Sequence, residues 1–406
     1  MADTPESNNR GAFGSGVKAR RSSPPDVIQR TGGWEVSCFA RSVPRDWSEA
    51  ARLTMIPVAT EIRKAGSVAS LLMVDPMELE VGYGLIPFID PEQGGDLLER
   101  ITMLRRQSAL EQGIIVPPIR IRDNVQLPPQ TYIIKIRGVE VGRGVLKSDH
   151  YLAMKVKDDA PDLGGEETTE PTFGLPALWI PEEKKEYAAK EGYTVVDPPS
   201  VVATHLTEII RRHSSELLGK QEVQTMVENI KEKYPTVVSE LIPEHLTLGE
   251  LQKVLQNLLK ERVSIRNMVT ILETLGDWAS KTKDIVILTE KVRQALFRQL
   301  TQQHQSGDGT LKVITVDPKL EEQIAISIQG DRVVLEPALV GRILKELQDM
   351  IGKSGRDGFL PVILATGRTR PHILRLIQPV LPMMGVLSYD EIATEVKVVS
   401  VGMIKV

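Results

Sequence analysis

Gly352, Lys353 and Ser354 end the pattern that cradles nucleotide phosphates. That pattern also needs a glycine five positions earlier, and position 347 is Leu347. The loop that would turn successive amides toward a phosphate is therefore incomplete. His205, Ile209 and His213 fall at i, i+4 and i+8, which puts two imidazoles on one helical stripe. No third ligand type is spaced to join them in a zinc site, so the stripe reads as core or boundary. The six histidines never form HExxH, and no serine stands in GxSxG. Gly138, Gly142 and Gly144 miss the dinucleotide fingerprint, and the adjacent carboxylates Glu182 and Glu183 read as solvated. An enzyme whose catalytic residues are scattered along the chain stays open as an alternative, because such sets are defined by geometry and not by sequence order.

Contact chemistry is better represented. Aromatic residues make up only 4% of the chain. Phe173, Trp179, Tyr187 and Tyr193 nevertheless fall within residues 170–204, punctuated by glycine and proline and followed by an amphipathic helical pattern. This mixture suits a shaped docking surface more than a reaction centre. Ahead of it, residues 157–170 read as a loop carrying Asp158, Asp159, Asp162, Glu166, Glu167 and Glu170, with only Lys157 opposing. It is either a solvated acidic loop or a rim that steers a basic partner, since complementary charge mainly sets on-rate.

The elements that must position these residues follow from periodicity. Residues 75–90 are a β-leaning run broken by Gly82 and Gly84, and residues 94–113 a helix with Leu97, Leu98, Ile101 and Leu104 on one face. Pro117 and Pro118 make the strand at 114–124 an edge or a bend. Tyr132, Ile134 and Ile136 alternate with Ile133, Lys135 and Arg137, as in a half-buried strand, and glycines punctuate a hairpin-like continuation into residues 151–156. Helices follow. Ser200 is expected to cap the one carrying Val202, Leu206, Ile209, Ile210 and Leu217. Thr247 and Glu250 form a capping box, and Thr289 is expected to cap a later helix. Residues 302–309 read as a linker, after which strands and helices alternate to the end, arguing for a sheet covered by helices. The fold class is thus mixed α/β and multidomain.

At 406 residues the chain has room for two or three domains. A net charge of −4 gives no footprint for nucleic acid. Cys38 is the single cysteine, so neither an internal disulfide nor a thiolate cluster can form. No window approaches the roughly 20 apolar residues of a membrane-crossing helix. Residues 1 to about 45 carry too little apolar surface to offset ordering, and read as linker or disorder, with some helical patterning from Leu53 to Leu72.

From about Val74 onward the wording resembles the FHIPEP family, the large export-gate subunit of flagellar and injectisome type III secretion. The motifs, in order, are LEVGYGLI, PPIRIRDN, GVEVGRG, HYLAM, EPTFGLPALWI, GYTVVDPPSVVATHL, LLGKQEV, LQKVLQNLLKERVSIRNMVTILETL and VLSYDEI. GVEVGRG followed by HYLAM is more flagellar than injectisome. The resemblance implies small α/β subdomains around a helical one. Residues 74–145 with 198–217 form the first subdomain, 146–197 an inserted second, 218–300 the helical third and 301–406 a C-terminal α/β unit. Residues 1–73 precede them as linker. It implies no enzymatic role and no cofactor. Its partners are flagellar export chaperones with bound substrates and other export-apparatus subunits, including the ATPase complex. It further implies a nonameric ring when membrane-tethered, and a place at the cytoplasmic face of the bacterial inner membrane. The membrane contact would come through an N-terminal half missing here, so the chain is a fragment, a truncated product or a stand-alone relative. The implied docking cleft uses Glu170, Phe173 and Thr204, with Met154 and Val156 as further apolar cleft residues. The family often has Asp at the first of these, so Glu170 keeps the charge on a longer stem.

Overall fold

The computed structural model describes residues 73–405 except 157–159, 331, 357 and 358. The expected N-terminal linker (all but Met73), the pattern at Leu53–Leu72, Cys38 and the first part of the acidic loop lie outside the described residues.

Strands β1 (Met77–Val81), β2 (Ile119–Asp123), β3 (Thr131–Ile136) and β4 (Val139–Val145) form a sheet of order β2-β1-β3-β4. β2, beginning just after Pro117 and Pro118, is an edge strand and pairs parallel to β1. A parallel pair needs a crossover, which contains helix α1 (Leu97–Glu111). α1 buries Leu97, Ile101 and Leu104, but Leu98 turns to solvent. β3 is buried on both faces, not half-buried as its alternation suggested: Tyr132, Ile133 and Ile134 are all inaccessible. It lies between β1 and β4, and Glu80 and Lys135, paired at 2.5 Å, share the face of Ile133. Their aliphatic stems supply the cover that a polar pattern hides. Arg137 and Gly138 close the β3–β4 hairpin with both φ values positive, the geometry of a turn matched to strand twist.

The second sheet runs β6-β7-β5-β8, from β5 (His150–Lys155), β6 (Glu166–Thr169), β7 (Pro176–Pro181) and β8 (Tyr193–Val196), all antiparallel. The expected loop therefore ends in an edge strand, whose exposed Glu166 and Glu167 discourage further pairing. With helix α2 (Lys185–Lys190), one face packs a small core of Ala153, Leu163, Ile180, Ala188 and Tyr193. On the other, Leu152, Ala177 and Trp179 join the main core.

Helix α3 (Pro198–Arg212) crosses both sheets. Asp197 occupies its cap position and Pro198 opens its first turn, so Ser200 lies inside the helix and accepts from Arg100 instead of capping. The helical layer continues through α4 (Ser214–Leu217), α5 (Lys220–Lys233), α6 (Pro235–Leu241), α7 (Leu248–Lys260), α8 (Met268–Ala279), α9 (Ile285–Ala295) and α10 (Phe297–His304). The Thr247–Glu250 capping box is present. α10 runs on to His304, into the stretch expected as linker.

The last unit is a parallel sheet of order β13-β12-β9-β14, from β9 (Thr310–Val316), β12 (Val362–Ala365), β13 (Val386–Ser388) and β14 (Lys397–Ile404). α11 (Pro318–Ile326), α12 (Pro337–Arg356), α13 (Arg370–Ile377) and a short hairpin of β10 (Ile328–Gln329) and β11 (Arg332–Val333) complete it. One sheet face closes the main core with Leu311, Val313, Val362 and Leu364; the other carries a separate core with Ile314, Val316 and Ile363. Among the described residues, no helix is long and apolar enough to cross a membrane.

Candidate docking surface

The link between β6 and β7 carries the residues singled out in the sequence. Glu170 is buried, and its two carboxylate oxygens accept from the amides of Thr172 at 2.8 Å and Phe173 at 2.7 Å. Its own amide donates to Leu175 O, and its carbonyl accepts from Gly174, whose φ of 71° closes the turn. A charged acceptor spent on two amides stiffens a short loop more than a neutral one would. Glu170 is thus neither a solvated loop residue nor part of the accessible surface. Phe173, at the tip, is 58% exposed, which rules out the ordinary core role open to a lone aromatic. Leu175, two residues on, is half exposed, and nothing in its own sequence context marks it.

The remaining candidates lie on neighbouring elements. Met154 on β5 is half-buried against the main core, on the same face as Leu152. Val156, just past the strand, is 68% exposed. Thr204 is exposed on α3. Beside it, His205 is buried and its Nδ1 lies 2.9 Å from the Tyr132 hydroxyl. β4 presents bare backbone to this pair: a Cβ on Gly142 would stand 3.0 Å from the imidazole, and one on Gly144 2.5 Å from the phenol ring. Burial holds His205 below the usual imidazole range; the Glu170 carboxylate opposes this and Arg212 adds to it. Burial pushes the Tyr132 phenol up, with Glu170 again contributing. The same carboxylate is thus close enough to act on both groups.

The motifs with chemical potential end elsewhere. Gly352, Lys353 and Ser354 sit within α12, where helix formation and not a loop claims the backbone amides. His213 pairs with Glu216, apart from the buried His205–Tyr132 contact, so the two imidazoles do not converge. Glu182 and Glu183 are exposed, as expected. Among the described residues no group of His, Cys, Asp and Glu could hold a metal ion. The arrangement holds apolar side chains out on a stiffened turn, on a scaffold of small sheets around a helical layer.

A family model described as the FHIPEP family matches residues 37–397. The chain belongs to that family, and the match begins well before Val74, where the resemblance was first legible. The flagellar biosynthesis protein FlhA of Bacillus subtilis is 45% identical over 350 residues, spanning 85% of this chain and 52% of that protein. FlhA of Escherichia coli is 42% identical, over 79% of this chain and 46% of its own length. The chain therefore spans about half the length of these relatives. Among solved structures, the Chlamydia pneumoniae CdsV protein superposes with a TM-score of 0.75 at 29% identity, covering 82% of this chain and 98% of that one.

Proposed function

We propose that the chain is the cytoplasmic docking platform of a flagellar type III export gate, receiving chaperone–substrate complexes and contributing to export order. It does so without catalysis, through contacts. The observation that carries this reading is Phe173, an aromatic left exposed on a turn locked by a buried carboxylate, in a family of export-gate proteins. Large exposed apolar groups on rigid supports are the usual anchors of protein recognition. Phe173, Leu175 and Val156 form the apolar contact set, Met154 backs it, Thr204 is the facing wall, and Glu170 shapes the turn. Identity favours the flagellar branch over the injectisome branch, at 45% to FlhA against 29% to CdsV. Binding to further export-apparatus subunits, the ATPase complex among them, belongs to the same reading, and CdsV has itself been solved with CdsO. So do the membrane-tethered nonameric ring, the inner-membrane location and the subdomain boundaries given above.

Calorimetric titration with a purified flagellar chaperone–substrate complex tests the docking reading. Phe173→Ala is expected to weaken binding by about 2 kcal/mol, roughly thirtyfold. Its melting temperature stays close to that of the parent chain, since an exposed ring leaves no core cavity. Unchanged affinity in this variant sinks the docking assignment.

A further inference from the structure

We propose that Arg212 is a positioning residue of the docking turn, fixing the Phe173 tip against helix α3; this rests on the docking reading. The turn is held from within by Glu170 and from outside by α3. Arg212 Nη2 donates to the Thr172 carbonyl at 3.1 Å, while its Nε donates to Glu208 Oε1 at 2.9 Å. Thr172 is itself buried, and its hydroxyl has no partner, so the backbone contact is what grips this corner.

Glu208 is a fixed anchor for that grip. Its side chain is 6% exposed and faces two more guanidiniums, Arg211 at 3.5 Å and Arg262 at 3.5 Å. Arg262 follows the end of α7 in a left-handed conformation, with φ at 59°. Arg211 reaches Glu111 at the end of α1, at 3.6 Å. A carboxylate seated on α3 and held also from the end of α7 cannot drift with the loop, so Arg212 transmits the position of the helical scaffold to the turn. Thr204 lies eight residues earlier on α3, about 12 Å along the axis. Arg212 thereby sets the distance between the aromatic tip and the opposite wall of the cleft. A guanidinium can serve both acceptors at once in a planar fork, whereas an ammonium on the same stem is a single point charge.

The test uses Arg212→Met and Arg212→Lys in the full chain. Removing Arg212 leaves Glu208 with Arg211 and Arg262, so the buried charge keeps its partners and the fold persists, as a thermal melt verifies. The amides of Thr172, Phe173 and Gly174 are hydrogen-bonded within the turn and report its order by hydrogen exchange. In Arg212→Met they are expected to exchange about tenfold faster, and a purified flagellar chaperone–substrate complex to bind about tenfold more weakly. Arg212→Lys recovers part of both. Unchanged exchange in Arg212→Met overturns the proposal whatever the affinities show. Wild-type affinity in Arg212→Met, alongside weakened binding in Phe173→Ala, also overturns it and leaves the docking reading standing. Wild-type affinity in Phe173→Ala removes the docking reading and this proposal with it.

Discussion

At the scale of single residues, local environment decides what each titratable group contributes, and the half-buried His304 is one case. Its ring fills the space beside Gly385, where a Cβ would come within 2.6 Å of Cε1. Burial lowers its pKa to about 4, with Arg293 adding to the effect and Glu391 opposing it. The unfolded chain, with an ordinary imidazole near 6.5, takes up the proton first. The stability tied to neutral His304 is therefore present above pH 6.5 and lost as pH falls toward 4. Between pH 6.5 and 5 the parent chain should lose about 1.5 kcal/mol more than a His304→Gln variant, read from urea midpoints at each pH. Parallel pH profiles for the two would show that His304 is not titrating as its burial dictates. In the sequence His304 falls within residues 302–309, which read as linker and gave no sign of a packed imidazole. Phe173 was legible by type and context, yet its exposure was not, because a lone aromatic reads equally well as core.

At the scale of elements, caps and periodicities were the most readable features, and their failures were local. The Thr247–Glu250 box stands where its spacing put it, because both halves of that signal are side chains reaching neighbouring amides. Thr289 does not cap α9. It is buried in the second turn, its hydroxyl donating to Ile285 O at 2.7 Å. Asp284 takes the cap, accepting from Val286 and Ile287 at 2.7 and 3.2 Å. A threonine hydroxyl can bond the backbone from the cap or, one turn in, through the carbonyl four residues back, and only the packed register separates the two. Asp284→Ala should cost about 1 kcal/mol in a denaturant titration at neutral pH. A loss below a few tenths would mean that the helix start is held by packing alone. β3 failed in the opposite sense: Lys135 made it look half-wet, and only the pairing with Glu80 reveals how that stem lies on the sheet.

At the scale of the whole molecule, a buried ionic cluster joins the helical layer to the C-terminal sheet. Arg370 is fully buried, its Nε donating to Glu290 at 2.7 Å and its Nη1 to Glu261 at 2.8 Å. Arg293 reaches Glu261 at 2.7 Å and Glu391 at 2.6 Å, and Glu391 is also inaccessible. Burial alone would raise the Glu261 carboxyl, but Arg293 and Arg370 outweigh it and hold the group below its ordinary value. Charges this deep fix an arrangement more than they stabilise it, and removing one partner strands the other. Arg370→Met should cost about 3–5 kcal/mol in thermal or denaturant unfolding. The double change with Glu290→Gln should recover a large share of that, since it removes a stranded charge. A single substitution without measurable effect would mean that water already reaches the cluster.

By itself the sequence determined the mixed α/β class, the strands and helix of residues 75–156, the helical run after residue 198, the strand–helix alternation near the end, and the family to which the chain belongs. These are carried by local periodicity and by contiguous motifs, which need no knowledge of distant contacts. Only the tertiary structure decided that Glu170 is buried and Phe173 exposed, though they lie three residues apart in one motif. It alone brought Arg212 to the Thr172 carbonyl, His205 to Tyr132, and Arg370 to Glu261 and Glu290. Each of those depends on groups that meet across 40 to 109 positions of sequence. The free energy of such a meeting comes from desolvation and charge pairing in the packed molecule, and no spacing rule encodes it.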